Sequence, residues 1–168
     1  MGLFDRMFKG AKQAKGSGRI EILAPVDGEL VAIESVADPV FAEKTMGDGL
    51  AIVPCGSRLA APMDGVLSAL FPTGHAFGLE EDGGQVSVMV HAGIDTVELE
   101  GMGFSVKAAQ GDAVAAGQTV VEMDPEAIKA AGYDPTVMVI LLKGPADKIL
   151  HKRDLGPVKA GEPILWLS

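Results

Sequence analysis

Short runs rich in valine and isoleucine, each ended within a few residues by glycine, proline or aspartate, limit most strongly what this chain can fold into. They occupy 20–23, 30–33, 50–53, 66–70, 86–90, 119–123, 136–142 and 164–167. Runs of this length, bounded by turn formers, read as strands. The 22 glycines and 10 prolines are enough to turn the chain between them. In the body only residues 125–132 read as helix, with Pro125 at the start and Gly132 at the end, where helix termini favour them. The pattern predicts an all-β fold, an antiparallel β-sandwich.

The sequence also echoes itself. Ala24-Pro25-Val26-Asp27-Gly28-Glu29-Leu30 returns as Ala61-Pro62-Met63-Asp64-Gly65-Val66-Leu67. Val114-Ala115-Ala116-Gly117 returns as Val158-Lys159-Ala160-Gly161. Paired echoes predict a pseudo-symmetric sandwich of duplicated units, and two copies are too few for a solenoid.

Charge divides the chain. The net charge is −9, yet residues 1–19 carry Arg6, Lys9, Lys12, Lys15 and Arg19 against Asp5 alone. The acidic remainder argues against nucleic-acid binding and favours a basic protein partner. Within the basic stretch, Leu3, Phe4, Met7, Phe8 and Ala11 recur at helical spacing before Gly16-Ser17-Gly18 breaks the pattern. Residues 1–19 are thus expected to be a flexible, amphipathic segment, and residues 20–168 one domain. Residues 1–18 suit either a frayed terminus or a peripheral contact with anionic lipid. The longest apolar run, 137–142, is far short of the roughly 20 residues of a membrane span. Asp5, Arg6 and Lys9 interrupt any signal-peptide pattern. The lone Cys55 admits no intrachain disulfide and is expected to be a strand-end residue without a role. A cytoplasmic location is expected.

Three histidines hold the chemical interest. His91 follows the strand-like run 86–90, and His75 precedes 76–80. A hairpin turning at Asp82-Gly83-Gly84 would bring the far ends of these runs, and therefore both imidazoles, together. Two neighbouring imidazoles can bind a metal, exchange protons, or serve as nucleophile and support. His151, beside Lys152 and Arg153, reads as part of a solvated charged stretch with no role.

Val90-His91-Ala92-Gly93-Ile94-Asp95-Thr96-Val97-Glu98-Leu99, Thr73-Gly74-His75-Ala76-Phe77, and Val40-Phe41-Ala42-Glu43-Lys44 with Gly47-Asp48-Gly49 together resemble the glucose-type IIA proteins of the bacterial sugar phosphotransferase system. The resemblance covers residues 20–168. It implies a β-sandwich of hybrid-barrel repeats and a phosphotransferase working through phosphohistidine. His91 would accept a phosphoryl group on Nε2 from phospho-HPr. It would pass the group to a cysteine on the IIB domain of a glucose or N-acetylglucosamine transporter. His75 would support the transfer and Thr73 would orient His75. Val40, Phe41, Met46, Phe71, Phe77 and Met89 match an apolar rim, Phe77 being equally readable as core. Asp38 and Asp95 match an acidic edge facing arginines on the carrier. Phe41 follows Asp38-Pro39-Val40 in a loop-like stretch and is expected on the rim rather than in the core. No cofactor is required; zinc at His75 and His91 would need a ligand lent by a partner. Gly74, Ala92 and Met89 depart from common family residues, and the 81–84 turn holds an extra residue.

Other readings fit less well. A lipoyl or biotinyl carrier shares the Ala-Pro-x-x-Gly echoes, but Lys107 lacks a tight-turn setting for modification. His91 and Asp95 have the spacing of a zinc peptidase pair, but only His151 follows them. A regulatory module, in which the phosphorylation state of His91 controls partner proteins, remains compatible with the carrier role.

Overall fold

The computed structural model describes residues 18–168. The amphipathic segment expected over residues 1–18 therefore lies almost wholly outside the described residues. Among these, the strands are β1 (Ile20–Leu23), β2 (Gly28–Ala32), β3 (Gly49–Pro54), β4 (Arg58–Ala60), β5 (Gly65–Leu70), β6 (Ala76–Glu80) and β7 (Ser87–Ala92). They continue as β8 (Phe104–Val106), β9 (Ala113–Val114), β10 (Thr119–Met123), β11 (Val137–Lys143), β12 (Leu150–Lys152), β13 (Gly156–Val158) and β14 (Pro163–Leu167). They form an eight-stranded sheet in the order β13-β2-β3-β11-β7-β6-β5-β9, with two three-stranded sheets, β1-β14-β12 and β4-β10-β8. The fold is the expected antiparallel β-sandwich. No helix among the described residues is long and apolar enough to cross a membrane.

The sequence echoes become structural equivalents. Gly28 of β2 pairs with Val158 of β13, and Gly65 of β5 pairs with Val114 of β9. Ala160 N–H donates to Asp27 Oδ1 and Ala116 N–H to Asp64 Oδ1, both at 2.8 Å. Gly161 N–H reaches Ala24 O, and Gly117 N–H reaches Ala61 O. The two copies also clasp each other, with Leu23 N–H donating to Pro62 O and Ala60 N–H to Pro25 O. Each Asp thus satisfies a turn amide of the strand pair beside it, which an Ala at that position would leave unmet. Glycine follows each Asp for want of space: a Cβ on Gly28 would lie 2.1 Å from Val53 O.

The central strands are buried on both faces, so their apolar residues run almost unbroken instead of alternating. Val88, Val90, Val137, Val139, Leu50 and Ile52 face the main core with Leu67, Phe77 and Val121. Met89, Met138, Ile140 and Ala51 point the other way, into a second cluster closed by Ile33, Val36 and Phe41. That closure is made by the segment between β2 and β3. It contains a 3-10 turn, Ile33–Ser35, and one helical turn, α1 (Pro39–Ala42), whose N-cap Asp38 accepts from Val40 N–H at 2.9 Å.

Three expectations change here. Phe41 is only 4% exposed and lies in a helical turn, because it covers a sheet face that would otherwise be wet. Met89 is likewise buried, on the side of β7 that faces the second cluster, whereas Phe77 takes the core reading already open to it. His151 is not in a loose charged stretch. β12 pairs with β14 and places it opposite Trp166, on which its ring stacks, with Nε2 2.9 Å from Ser168 Oγ. The helix expected at 125–132 is α2 (Pro125–Ala130), capped by Asp124.

Two consequences can be measured by denaturant unfolding. Asp64→Ala, at a half-buried site, is expected to lower stability by about 2 kcal/mol, and the exposed Asp27→Ala by about 1 kcal/mol. Phe41→Ala is expected to cost about 3 kcal/mol or more, the cost of emptying a buried phenylalanine site. A rim residue would cost almost nothing.

Candidate functional site

Strand register builds the site. β6 and β7 pair with Ala76 opposite His91 and Glu80 opposite Ser87, and the turn between them spans Asp82-Gly83-Gly84. His75, immediately before β6, therefore stands beside His91. Ala92 N–H donates to His75 O, which locks the two residues' backbones together. The rings meet edge to face with centroids 5.2 Å apart.

Alternation along β7 places His91 on the same face as Met89, opposite Met138 of β11. It thus sits at the margin of the second cluster, half-buried, with the Phe41 ring centroid 4.9 Å away. His75 is buried, and the Phe71 ring closes on it edge-on at 5.0 Å. Two aromatic rings thus flank the pair, one beside each imidazole.

Each imidazole is oriented through Nδ1. His91 Nδ1–H donates to Gly93 O at 2.9 Å, which leaves Nε2 as the unprotonated nitrogen. His75 Nδ1 is 2.5 Å from Thr73 Oγ1, within hydrogen-bond distance. Gly93 has a left-handed backbone at φ 85°, and a Cβ there would lie 2.3 Å from Thr96 Cγ2. The buried Thr96 hydroxyl in turn donates to Ala92 O. Asp95 holds a left-handed φ of 58° without being glycine. Such a conformation in a non-glycine residue carries backbone strain and concentrates at functional loops.

Burial pushes His75 down to about 4, and any positive charge on His91 adds to the effect. Burial also lowers His91, opposed by its bond to the Gly93 carbonyl and by the negative charges of Asp38 and Asp95. Both rings are therefore neutral near pH 7. A neutral imidazole with a bare Nε2 is a nucleophile, and its neighbour can donate a proton or a hydrogen bond.

The surroundings divide the expected rim. Val40, Met46 and Phe71 are more than 40% exposed, as an apolar docking surface requires. Phe41 and Met89 are buried in the second cluster instead. Asp38 and Asp95 both act electrostatically on His91, so the acidic edge lies at the site. Sequence reasoning passed over the structural parts played by Gly93 and Thr96, although both stand inside the quoted motif. It also passed over the exposed Val97 and Met102. Among the described residues no group of three or more His, Cys, Asp or Glu could hold a metal ion, so zinc at His75 and His91 would require an outside ligand.

Comparison with known proteins agrees with this geometry. The profile of the family described as phosphoenolpyruvate-dependent sugar phosphotransferase system, EIIA 1, matches residues 20–146. The glucose-specific EIIA component of Haemophilus influenzae is 42% identical over 98% of this chain and 97% of its own. The glucose-specific EIICBA component of Streptococcus pneumoniae is 44% identical over 83% of this chain, which spans only 19% of that longer protein. The solved glucose permease IIA of Mycoplasma capricolum superposes with a TM-score of 0.81 at 35% identity, covering 88% of this chain and 95% of that one. The strands past residue 146 belong to the same fold, since β14 pairs with β1. With profile, near-full-length relatives and fold in agreement, the chain belongs to the EIIA 1 family of the phosphoenolpyruvate-dependent sugar phosphotransferase system, as a phosphotransferase component of that system.

Proposed function

We propose that this chain carries a phosphoryl group on His91 Nε2, taken from phospho-HPr and passed to the IIB cysteine of a glucose-type or N-acetylglucosamine transporter. One observation carries the reading. Two neutral imidazoles stand edge to face at 5.2 Å, and the Nδ1–H of His91 is committed to Gly93 O. The free lone pair of Nε2 attacks phosphorus while the donor's phosphorus–nitrogen bond breaks. Transfer onward breaks the His91 bond as the thiolate attacks. Both steps pass through a loose transition state that asks for in-line positioning and charge stabilisation. His75 lies where an Nε2–H could donate to the phosphoryl oxygens, provided Thr73 holds its Nδ1 as acceptor. The exposed Val40, Met46 and Phe71 give partners an apolar seat, and a methionine adapts to more than one partner shape. Asp38 and Asp95 supply the charge that a basic carrier would meet.

The names of the fused relatives fit a IIB partner, because EIICBA and EIIBCA proteins carry an A unit in one chain with B and C units.

Incubation with phospho-HPr, followed by mapping of the labelled residue, tests the assignment. His91→Ala should accept nothing. His75→Gln should still accept but should phosphorylate a IIB domain at least about tenfold more slowly, since an amide replaces one N–H donor yet cannot exchange a proton as an imidazole does. Label on His75 or Cys55 of the wild type would refute the reading.

The depressed histidine pKa values also predict a pH effect on stability. The folded state resists protonating His75 and His91, whereas the unfolded chain protonates them near pH 6.5. Their contribution is complete above about pH 6.5 and declines as pH falls toward the folded value, about 4 for His75. Thermal melts should therefore show a loss of stability between pH 6.5 and 5 that is smaller in His75→Gln than in the wild type.

A further inference from the structure

We propose that Asp134 is a positioning residue that sets the tautomer of His91. The proposal rests on the reading of His91 Nε2 as the phosphoryl acceptor, for which Nδ1 must keep the proton. The peptide unit joining Gly93 to Ile94 is the link. Its carbonyl accepts from His91 Nδ1–H at 2.9 Å, and its N–H donates to the Asp134 carbonyl at 2.9 Å. The preceding peptide is tied to the same segment, because Gly93 N–H donates to Thr136 O at 2.8 Å. The histidine proton and Asp134 thus lie at opposite ends of one hydrogen-bonded chain, in which each bond polarises the next.

Restraint is needed at this peptide. Glycine at φ 85° tolerates both left- and right-handed conformations, so the Gly93–Ile94 unit could turn over at small cost. A turned unit would present N–H to His91 Nδ1 in place of C=O. The proton would then favour Nε2 and remove the nucleophile.

What prevents this is the turn over Asp134-Pro135-Thr136. Asp134 Oδ1 accepts from Thr136 N–H at 2.9 Å and from Thr136 Oγ1–H at 2.6 Å, an Asx turn that fixes the direction of the Asp134 carbonyl. Pro135 fixes one dihedral between them. Tyr133 O–H adds a tether from the same segment, reaching Glu98 Oε2 at 3.1 Å. Thr136 is 7% exposed and cannot swing away, whereas Asp134 is exposed. Replacing Asp134 therefore opens no cavity in the core.

Long-range proton–nitrogen NMR of the full chain, at alkaline pH where both rings are neutral, reads the tautomer without any phosphorylation. The wild type should show His91 as the Nδ1–H form. Asp134→Ala, which removes both bonds from Thr136, should populate the Nε2–H form and slow acceptance from phospho-HPr about fivefold. Asp134→Asn, which keeps the Oδ1 acceptor, should restore both. Thr136→Val, which removes only the hydroxyl bond, should shift the tautomer the same way by less. A folded Asp134→Ala with His91 still wholly Nδ1–H would overturn the proposal, as would an Asn variant no better than the Ala variant. Were Asp134→Ala to unfold, an unshifted tautomer in Thr136→Val would overturn it instead. Failure of the wild type to accept phosphate would refute the proposed function and leave the tautomer result standing.

Discussion

The pairing of β6 with β7 is the constraint on which the site depends. Ala76 faces His91 across the ladder, so the residue before β6 and the residue near the end of β7 must be neighbours. A slip of one residue would turn His91 into the main core and put Val90 or Ala92 at the surface, since side chains alternate with a period of two. Burial prevents the slip from both sides. Val88 and Val90 are fixed in one core, and Met89 in the other. The same two-sided burial explains the electrostatics, because a histidine at the margin of an apolar cluster resists protonation.

Duplication makes the framework and departure from it makes the site. Asp27 and Asp64 hold equivalent turns, and each copy's chain clasps the other. The histidines have no counterparts in this symmetry. They lie on the central hairpin, where a segment with no repeat partner, 33–48, covers the outer sheet face and sets Phe41 against His91.

Much of this was legible in the sequence, for identifiable reasons. Strands read well because glycine, proline and aspartate mark their ends, and the Asp-Gly echoes marked the duplicated turns. The histidine pair needed only a hairpin with its turn at 82–84. Phe41 was misread because nothing local shows that the sheet is covered on both faces; its neighbours Pro39 and Val40 are indeed exposed. Met89 was misread for the same reason, its inward direction being set by alternation about an unseen second core. His151 was misread because adjacent charges suggest solvent, while pairing with β14 stacks it on Trp166. The bonds from Asp134 and Thr136 to Gly93 and Ile94 join residues some 40 positions apart, a separation no local pattern encodes.

The central proposal is that His91, with its Nδ1–H committed to Gly93 O, takes the phosphoryl group on Nε2 while His75 takes none. Phosphorus–proton correlation NMR on the phosphorylated full chain tests it directly, by reporting which ring and which nitrogen carries phosphorus. The account predicts a single phosphohistidine, His91 substituted at Nε2. Phosphorus on Nδ1 of His91, or on either nitrogen of His75, would contradict it.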